Sequence, residues 1–226
     1  MKAMILAAGR GERLRPLTDD TPKPLLQVGG QPLIGHHLLA LRRAGIREVV
    51  INAAWRAGDI QAALGDGRGY GVRIRYSVEC PGGLDTGGGV RAALPLLGAA
   101  PFVVVSADVF TDFDYRRLWA RELAPAAARL LLVANPPHHL QGDFGLAEGC
   151  LTSGEPRHTY AGIGLYTPQL FAGVAQPRFS LASVIRAALA RGDAQGLYHA
   201  GAWLDVGRPA TLARARERAA RAASAP

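Results

Sequence analysis

Ala3-Met4-Ile5-Leu6-Ala7-Ala8-Gly9-Arg10-Gly11-Glu12-Arg13-Leu14-Arg15-Pro16-Leu17-Thr18 opens the chain with an apolar run that breaks into a loop of glycine, arginine and proline. The apolar part is shorter than the core of a secretory leader and Gly9-Arg10-Gly11 follows at once, so it reads as a buried first strand. Glycines just past a strand let backbone N–H groups approach an anion closely. The loop carries Arg10, Arg13 and Arg15, and Lys23 follows in Thr21-Pro22-Lys23-Pro24-Leu25. A P-loop would end its glycine pattern in Gly-Lys-Ser/Thr, which is absent. A dinucleotide fingerprint needs a third glycine and an immediate helix, and Pro16 and Pro22 forbid that helix. On spacing alone, a solvated basic loop and an anion-binding loop both stand.

Outward from this loop, strands and helices alternate. Apolar patterning predicts strands at 25–28, 48–53, 72–78, 102–106, 130–134, 161–166, 196–199 and 202–206. It predicts helices at 33–44, 59–64, 90–97, 114–122, 181–190 and 212–223. Gly45 suits a helix C-terminus, Asp114 a helix N-cap, and Glu148-Gly149 a hairpin turn. The continuous apolar run 102–106 is typical of a parallel strand buried on both faces. The expected fold is therefore α/β, a three-layer α/β/α sandwich with a mixed, mostly parallel sheet. No linker or repeat divides the chain, so residues 1–226 read as a single domain. Ligands of such sheets bind beyond the carboxyl ends of the strands. The loop after the first strand, Ser106-Ala107-Asp108, and Asp205 behind Trp203-Leu204 all fall at strand ends.

With 49% hydrophobic and 19% charged residues in 226, the chain is not a disordered one. Its two cysteines, Cys80 and Cys150, form neither a disulfide scaffold nor a CxxC pair and read as inert. No apolar run reaches the ~20 residues that span a bilayer, so the expectation is a cytoplasmic protein with no membrane partner. The net charge of +8 attracts anions, whether nucleic acid or a phosphorylated metabolite. Dispersed arginines and 7% aromatics weigh against nucleic acid. Only Lys2 and Lys23 among the 26 basic residues are lysine. A compact point charge in an arginine-dominated chain invites a chemical reason for Lys23.

The string LAAGRGERLRPLT at 6–18, followed by TPKPL at 21–25, closely resembles the signature of sugar-1-phosphate nucleotidylyltransferases, and the resemblance continues through most of the chain. It implies that Leu6, Ala7, Ala8, Gly9 and Gly11 wrap a nucleotide, that Arg13 grips its triphosphate and that Lys23 contacts the α-phosphate. Arg13 and Lys23 are thus the catalytic candidates. Residues 83–89 resemble the base-binding loop, with Leu84, Thr86, Gly87 and Gly88 as its contacts. Residues 104–110 resemble the metal motif, with Ala107 in place of glycine, and make Asp108 a ligand of Mg²⁺. Trp203-Leu204-Asp205-Val206-Gly207 resembles the segment that supplies the second ligand, Asp205, and Arg208 stands where the family has Thr or Ser. Segments 143–145 and 160–164 look like parts of a sugar pocket, and Gly145, Glu155, Arg157 and Gly162 are the sugar-phosphate candidates. Arg157 has three readings: the sugar phosphate, a second anionic group on the sugar, or solvent.

The resemblance implies a Rossmann-like nucleotidyltransferase fold and a reaction of NTP with a sugar 1-phosphate that yields an NDP-sugar and pyrophosphate. The nucleophile is a phosphate oxygen, already anionic, so positioning and charge neutralisation replace a general base. Asp85-Thr86-Gly87-Gly88-Gly89 with the following 90–98 segment, and Gly142-Asp143-Phe144-Gly145-Leu146, look most like the members that join UTP to N-acetylmuramate α-1-phosphate in cell-wall recycling. Mannose-1-phosphate guanylyltransferase, glucose-1-phosphate thymidylyltransferase and an inactive nucleotide-sugar-binding regulatory protein remain alternatives. The presence of Lys23, Asp108 and Asp205 weighs against the last. His36-His37 point to different faces of a helix, His138-His139 read as a surface pair and Trp203 as core. Asp85 reads equally as a nucleotide contact or a turn residue.

Overall fold

The computed structural model describes residues 1–80 and 82–223. The first half holds β1 (Lys2–Leu6), α1 (Leu17–Asp20), β2 (Gln27–Val28), β3 (Gln31–Pro32), α2 (Leu33–Arg43), β4 (Glu48–Ala53), α3 (Ala57–Leu64), β5 (Arg73–Val78) and α4 (Asp85–Leu97). Then come β6 (Phe102–Ser106), β7 (Val109–Thr111), β8 (Ala128–Val133), β9 (Phe144–Ala147), β10 (Cys150–Thr152) and β11 (Arg157–Tyr166). The chain continues through α5 (Leu181–Ala190), β12 (Ala194–His199), β13 (Trp203–Asp205) and α6 (Pro209–Ala223).

Nine strands form one sheet in the order β5-β4-β1-β6-β11-β8-β12-β10-β9. Only β10 and β11 run against the rest, which follows from the parallel pairs β1–β4, β1–β6, β4–β5 and β8–β12 and the antiparallel partners of β10 and β11. The sheet is mixed and mostly parallel in direction, as the apolar runs implied. Its central strands bury both faces because side chains alternate across the pleat. Ala3 and Ile5 pack with Ile34, Leu38 and Ile60 of α2 and α3. Met4 and Val104 pack with Val90 and Ile185 of α4 and α5 on the other side. A third cluster of Leu14, Val28, Leu33, Val206 and Leu212 ties the loop after β1, the β2–β3 hairpin and α6 together. Among the described residues, no helix is long and apolar enough to cross a membrane.

His36 and His37 do diverge: His36 Nε2 meets the Val28 carbonyl at 2.8 Å, and His37 Nδ1 meets the Tyr115 hydroxyl at 2.7 Å. Burial lowers the His37 pKa to about 4, so it is neutral in the core. Both cysteines are free and exposed.

The strand expected at 25–28 is cut to Gln27–Val28 by the 3-10 turn Lys23–Leu25, and two helices depart further from their sequence patterns. The helix expected at 114–122 is a single 3-10 turn, Tyr115–Leu118, capped by Asp114, whose carboxylate accepts the Arg116 amide at 3.0 Å. The following segment gives its carbonyls to a side chain instead of to a helix: buried Arg129 on β8 donates to Leu118 O, Arg121 O and Glu122 O at 2.8, 2.7 and 2.6 Å. Conversely, α4 starts five residues before position 90 and takes in Gly87-Gly88-Gly89. Helix propensity disfavours three glycines, but a Cβ on Gly87 would sit 2.5 Å from the Phe179 ring and one on Gly88 2.5 Å from Pro177 O. Close packing of the segment before α5 decides both the glycines and the helix.

Arg129→Met should remove one buried and two partly buried hydrogen bonds to the 118–122 segment. Their combined loss costs about 3 kcal/mol, which at roughly 2–4 °C per kcal/mol lowers Tm by about 6–12 °C. Scanning calorimetry of the two proteins checks the shift.

Candidate active site

The ends of β1, β4, β5 and β6 border a cleft with two lobes of about 1050 and 360 Å³, which share Ser106 and Asp108. The larger lobe is floored by Leu6, Ala7, Ala8, Gly9 and Gly11. Gly11 holds φ at +73°, and its carbonyl accepts the Thr18 hydroxyl at 2.9 Å. A Cβ on Gly11 would lie 3.0 Å from Lys23 Cβ, so the loop closes directly over the lysine stem. Lys23 begins a 3-10 turn, Lys23–Leu25, between Pro22 and Pro24, and is 9% exposed.

Lys23 Nζ lies 2.6 Å from Asp108 Oδ2. Asp108 occupies the turn from β6 into β7, and β7 pairs with β13 so that Asp205 faces Val109. The Val206 amide donates to the Asp108 carbonyl at 2.8 Å. Two carboxylates distant in sequence are thereby fixed beside each other. Burial, and then the charge of Asp108, raise the Asp205 pKa above the usual carboxylate value, against the pull of Lys23, Arg13 and His138. Arg13 fits because residue 207 is glycine: a Cβ there would lie 2.9 Å from its guanidinium.

The smaller lobe holds Arg13, His138, His139, Trp203 and the start of β11. The β11–β8 register shifts between Tyr160 and Gly164. Gly162 within this shift has φ +73°, and a Cβ on it would meet Ser106 Oγ at 2.8 Å. Trp203 Nε1 donates to Ala161 O at 3.0 Å. Asp143 receives the Tyr160 amide at 2.8 Å and contacts His139 Nε2 at 3.1 Å. The histidine pair read as a surface feature and the tryptophan read as core both border the cleft, Trp203 while packing against the core; the 203–207 motif marks the tryptophan, and no local pattern marks the histidines.

The expected site residues divide. Arg13, Lys23, Asp108, Asp205, Gly162, Thr86 and the glycine loop line the cleft. Asp85 lines the cleft with φ +60° and accepts the Thr86 amide, the contact of a turn residue. Leu84, Gly87 and Gly88 are not on the lining. The amides of both glycines donate to Phe179 O, at 2.9 and 3.0 Å. Gly145 packs in the β9–β10 hairpin against Thr152 and Gly154. Glu155 and Arg157 pair with each other at 3.2 Å, and Arg157 also donates to Ser153 O at 3.1 Å, outside both lobes. Arg208 begins the α6 turn, its amide 3.2 Å from Thr211 Oγ1. Cleft residues that sequence reading passed over are Asn52, Trp55, Glu79 and Arg178. The Arg10 guanidinium lies 4.3 Å over the Trp55 ring.

The pattern of the nucleotidyl transferase family matches residues 2–222. The chain belongs to this family. It is 50% identical over 225 residues to an N-acetylmuramate alpha-1-phosphate uridylyltransferase of Neisseria meningitidis, covering 96% of each chain. A protein of the same name from Caulobacter vibrioides is 34% identical over 97% of each. Among solved structures, a candidate glucose-1-phosphate thymidylyltransferase of Bacillus anthracis, in complex with sucrose, superposes with TM-score 0.87 at 26% identity, over 97% of this chain and 95% of that one.

In this nucleotidyl transferase the raised Asp205 pKa has a stability consequence. A carboxyl whose pKa is higher folded than unfolded binds its proton more tightly when folded, so its ionisation opposes folding as pH rises through the folded pKa. Asp205→Asn should therefore raise Tm at pH 7 in the absence of divalent ions. The difference should vanish as pH falls below the ordinary carboxylate range. Calorimetry in EDTA across pH 3–8 tests it.

Proposed function

We propose that the protein joins UTP to N-acetylmuramate α-1-phosphate, giving UDP-N-acetylmuramate and pyrophosphate, in the cytoplasm and with Mg²⁺ as cofactor. The observation that carries this reading is the meeting of Lys23, Arg13, Asp108 and Asp205 where the two lobes join. The likeness to the Neisseria protein over nearly the whole chain supports the choice of substrates.

The donor set fits the cofactor. Among the described residues no cluster of three or more His, Cys, Asp or Glu side chains could hold a metal. Mg²⁺ suits such a sparse site, since it keeps several waters and is bound by one or two carboxylates plus phosphate oxygens. Asp108 and Asp205 would hold it, and when bound it neutralises charge on the phosphates. The two carboxylates already sit close enough to raise one pKa, which favours a cation between them.

The larger lobe takes the nucleotide and the smaller one the sugar. In the reaction a sugar-phosphate oxygen bonds to the α-phosphorus while the bond from that phosphorus to the bridging oxygen of pyrophosphate breaks. No proton need move. Lys23, held by its buried stem, supplies a fixed charge at the α-phosphate, and Arg13 supplies a second one at the junction. Positioned charge of this kind costs no reorganisation during reaction. The lactyl carboxylate of the muramyl group is a second anion, and Arg13, His138 and His139 are the basic side chains of the smaller lobe. A charge-assisted bond worth about 1.5–3 kcal/mol would give roughly 10- to 150-fold preference over N-acetylglucosamine 1-phosphate.

Pyrophosphate release measured for four NTPs crossed with N-acetylmuramate, N-acetylglucosamine, mannose and glucose 1-phosphates decides the substrates. The muramyl substrate with UTP should be fastest, and EDTA should abolish it. A different best pair rejects the substrates, activity in EDTA rejects the metal, and silence throughout returns the inactive regulatory reading.

Lys23→Arg should cost on the order of 100-fold in kcat/KM, because the longer fork cannot occupy the space between Gly11 and Asp108 without moving its charge. Steady-state kinetics of the variant with the best substrate pair measures the loss.

A further inference from the structure

Two side chains in the nucleotide lobe make a continuous buried relay between its two loops. The Ala7 amide, at the start of the phosphate loop, donates to Asn52 Oδ1 at 2.9 Å. Asn52 Nδ2 donates to Glu79 Oε1 at 2.6 Å. Glu79 Oε2 accepts the Leu84 amide, in the loop that opens α4, at 2.8 Å. Asn52 and Glu79 are 2% and 7% exposed, and both border the lobe. A Cβ on Gly89 would stand 2.6 Å from Glu79 Oε1 and 2.8 Å from Asn52 Nδ2, so a glycine keeps the space for the central bond.

The polarity of this relay is forced. Both of its ends are main-chain N–H groups, which can only donate. Asn52 must therefore turn its oxygen to Ala7 and its NH₂ to residue 79. Residue 79 must then accept on both of its oxygens, which a carboxylate does and a carboxamide cannot. Glutamine at position 79 would aim an NH₂ at either the Asn52 NH₂ or the Leu84 N–H. Neither can be relieved by flipping Asn52, because Ala7 fixes its orientation.

We infer that Asn52 and Glu79 are positioning residues that lock the phosphate loop and the base-side loop into one register, so that the nucleotide is held as a single unit from base to triphosphate. The relay acts through main-chain amides at both ends. Its kinetic consequence rests on the nucleotide reading of the larger lobe, whereas its structural consequence does not.

The test exploits the polarity. Glu79→Gln breaks the relay, and so does Asn52→Asp, which sets two carboxylates against each other. The double variant, Asn52→Asp with Glu79→Gln, restores it with the amide and carboxylate exchanged. The new carboxylate at position 52 accepts from the Ala7 amide and from the new side-chain amide at position 79, whose carbonyl in turn accepts from Leu84. In the absence of any substrate, amide hydrogen exchange should show loss of protection at both Ala7 and Leu84 in Glu79→Gln and its recovery in the double variant. With substrates, Glu79→Gln should raise KM for UTP about 10-fold, the order expected for an unpaired buried polar group, and leave KM for the sugar 1-phosphate unchanged. The double variant should return the UTP value to near that of the wild type.

A double variant no better than its parents overturns the inference. So does Glu79→Gln losing protection at Leu84 alone, or raising both KM values equally, since either outcome would make Glu79 a local packing residue. If Glu79→Gln does not fold, recovery of folding and of the UTP KM in the double variant supports the relay, and a double variant that also fails to fold counts against it. Exchange behaviour as expected, in a protein that binds no UTP, would leave the relay standing and reject the nucleotide reading instead.

Discussion

The contact between Lys23 Nζ and Asp108 Oδ2 at 2.6 Å imposes the main constraint on this molecule. It draws a largely buried ammonium to the end of β6, where a second carboxylate, Asp205, is also held. Burying a second carboxylate beside the first is unfavourable: burial, and after it the charge of Asp108, raise the Asp205 pKa. A buried ion pair seldom returns the desolvation of its partners, so it is poor evidence of stability. Other contacts must hold the charges in place. The β7–β13 ribbon fixes the two aspartates relative to each other. The cluster of Leu14, Val28, Leu33, Val206 and Leu212 anchors the loops bearing Arg13, Lys23 and Asp205 to α6. Apolar burial away from the cleft thus offsets electrostatic strain within it.

This division explains the layout of the sheet. One half, β5-β4-β1-β6, is wholly parallel, so all four strands deliver their ends to one edge, where the larger lobe forms. Beside β6 the chain runs the other way in β11, which brings Thr159–Gly162 from the beginning of a strand against Ser106 at the end of one. An antiparallel neighbour thereby gives the second lobe a wall that a fully parallel sheet would place at the opposite edge. The bulge at Gly162 lets that wall approach Ser106 closely.

The sequence exposed the parts of this design that depend on local chemistry. Strands buried on both faces are unbroken apolar runs, and β1 and β6 could be read from them directly. The loop after β1 is legible because its glycines, prolines and lone lysine are all unusual in one short span. What escaped depends on distant partners. Residues 114–122 have a helical pattern, but Arg129 on β8 claims three of their carbonyls. Arg157 is the local exception: it has the right charge for a sugar phosphate, and Glu155 two residues earlier pairs with it. Asn52 and Glu79 stand 27 residues apart with no motif between them, and only the pairing of β4 with β5 brings them together.

The glycines of the cleft show how charge is placed here. Gly207 admits the Arg13 guanidinium beside Asp205, Gly89 admits the Asn52–Glu79 bond, and Gly11 admits the Lys23 stem. Of these three only Gly11 has a positive φ; at the other two the backbone would tolerate alanine and the added Cβ would instead displace the neighbouring side-chain atoms. Long side chains with several rotamers lose substantial entropy when ordered. Enclosing the Lys23 stem against Gly11 transfers that cost from the moment of substrate binding to the folding of the protein. A cleft built this way meets its substrates with the Lys23 ammonium already fixed, and a phosphoryl-transfer reaction that needs no general base draws its rate from such preorganisation.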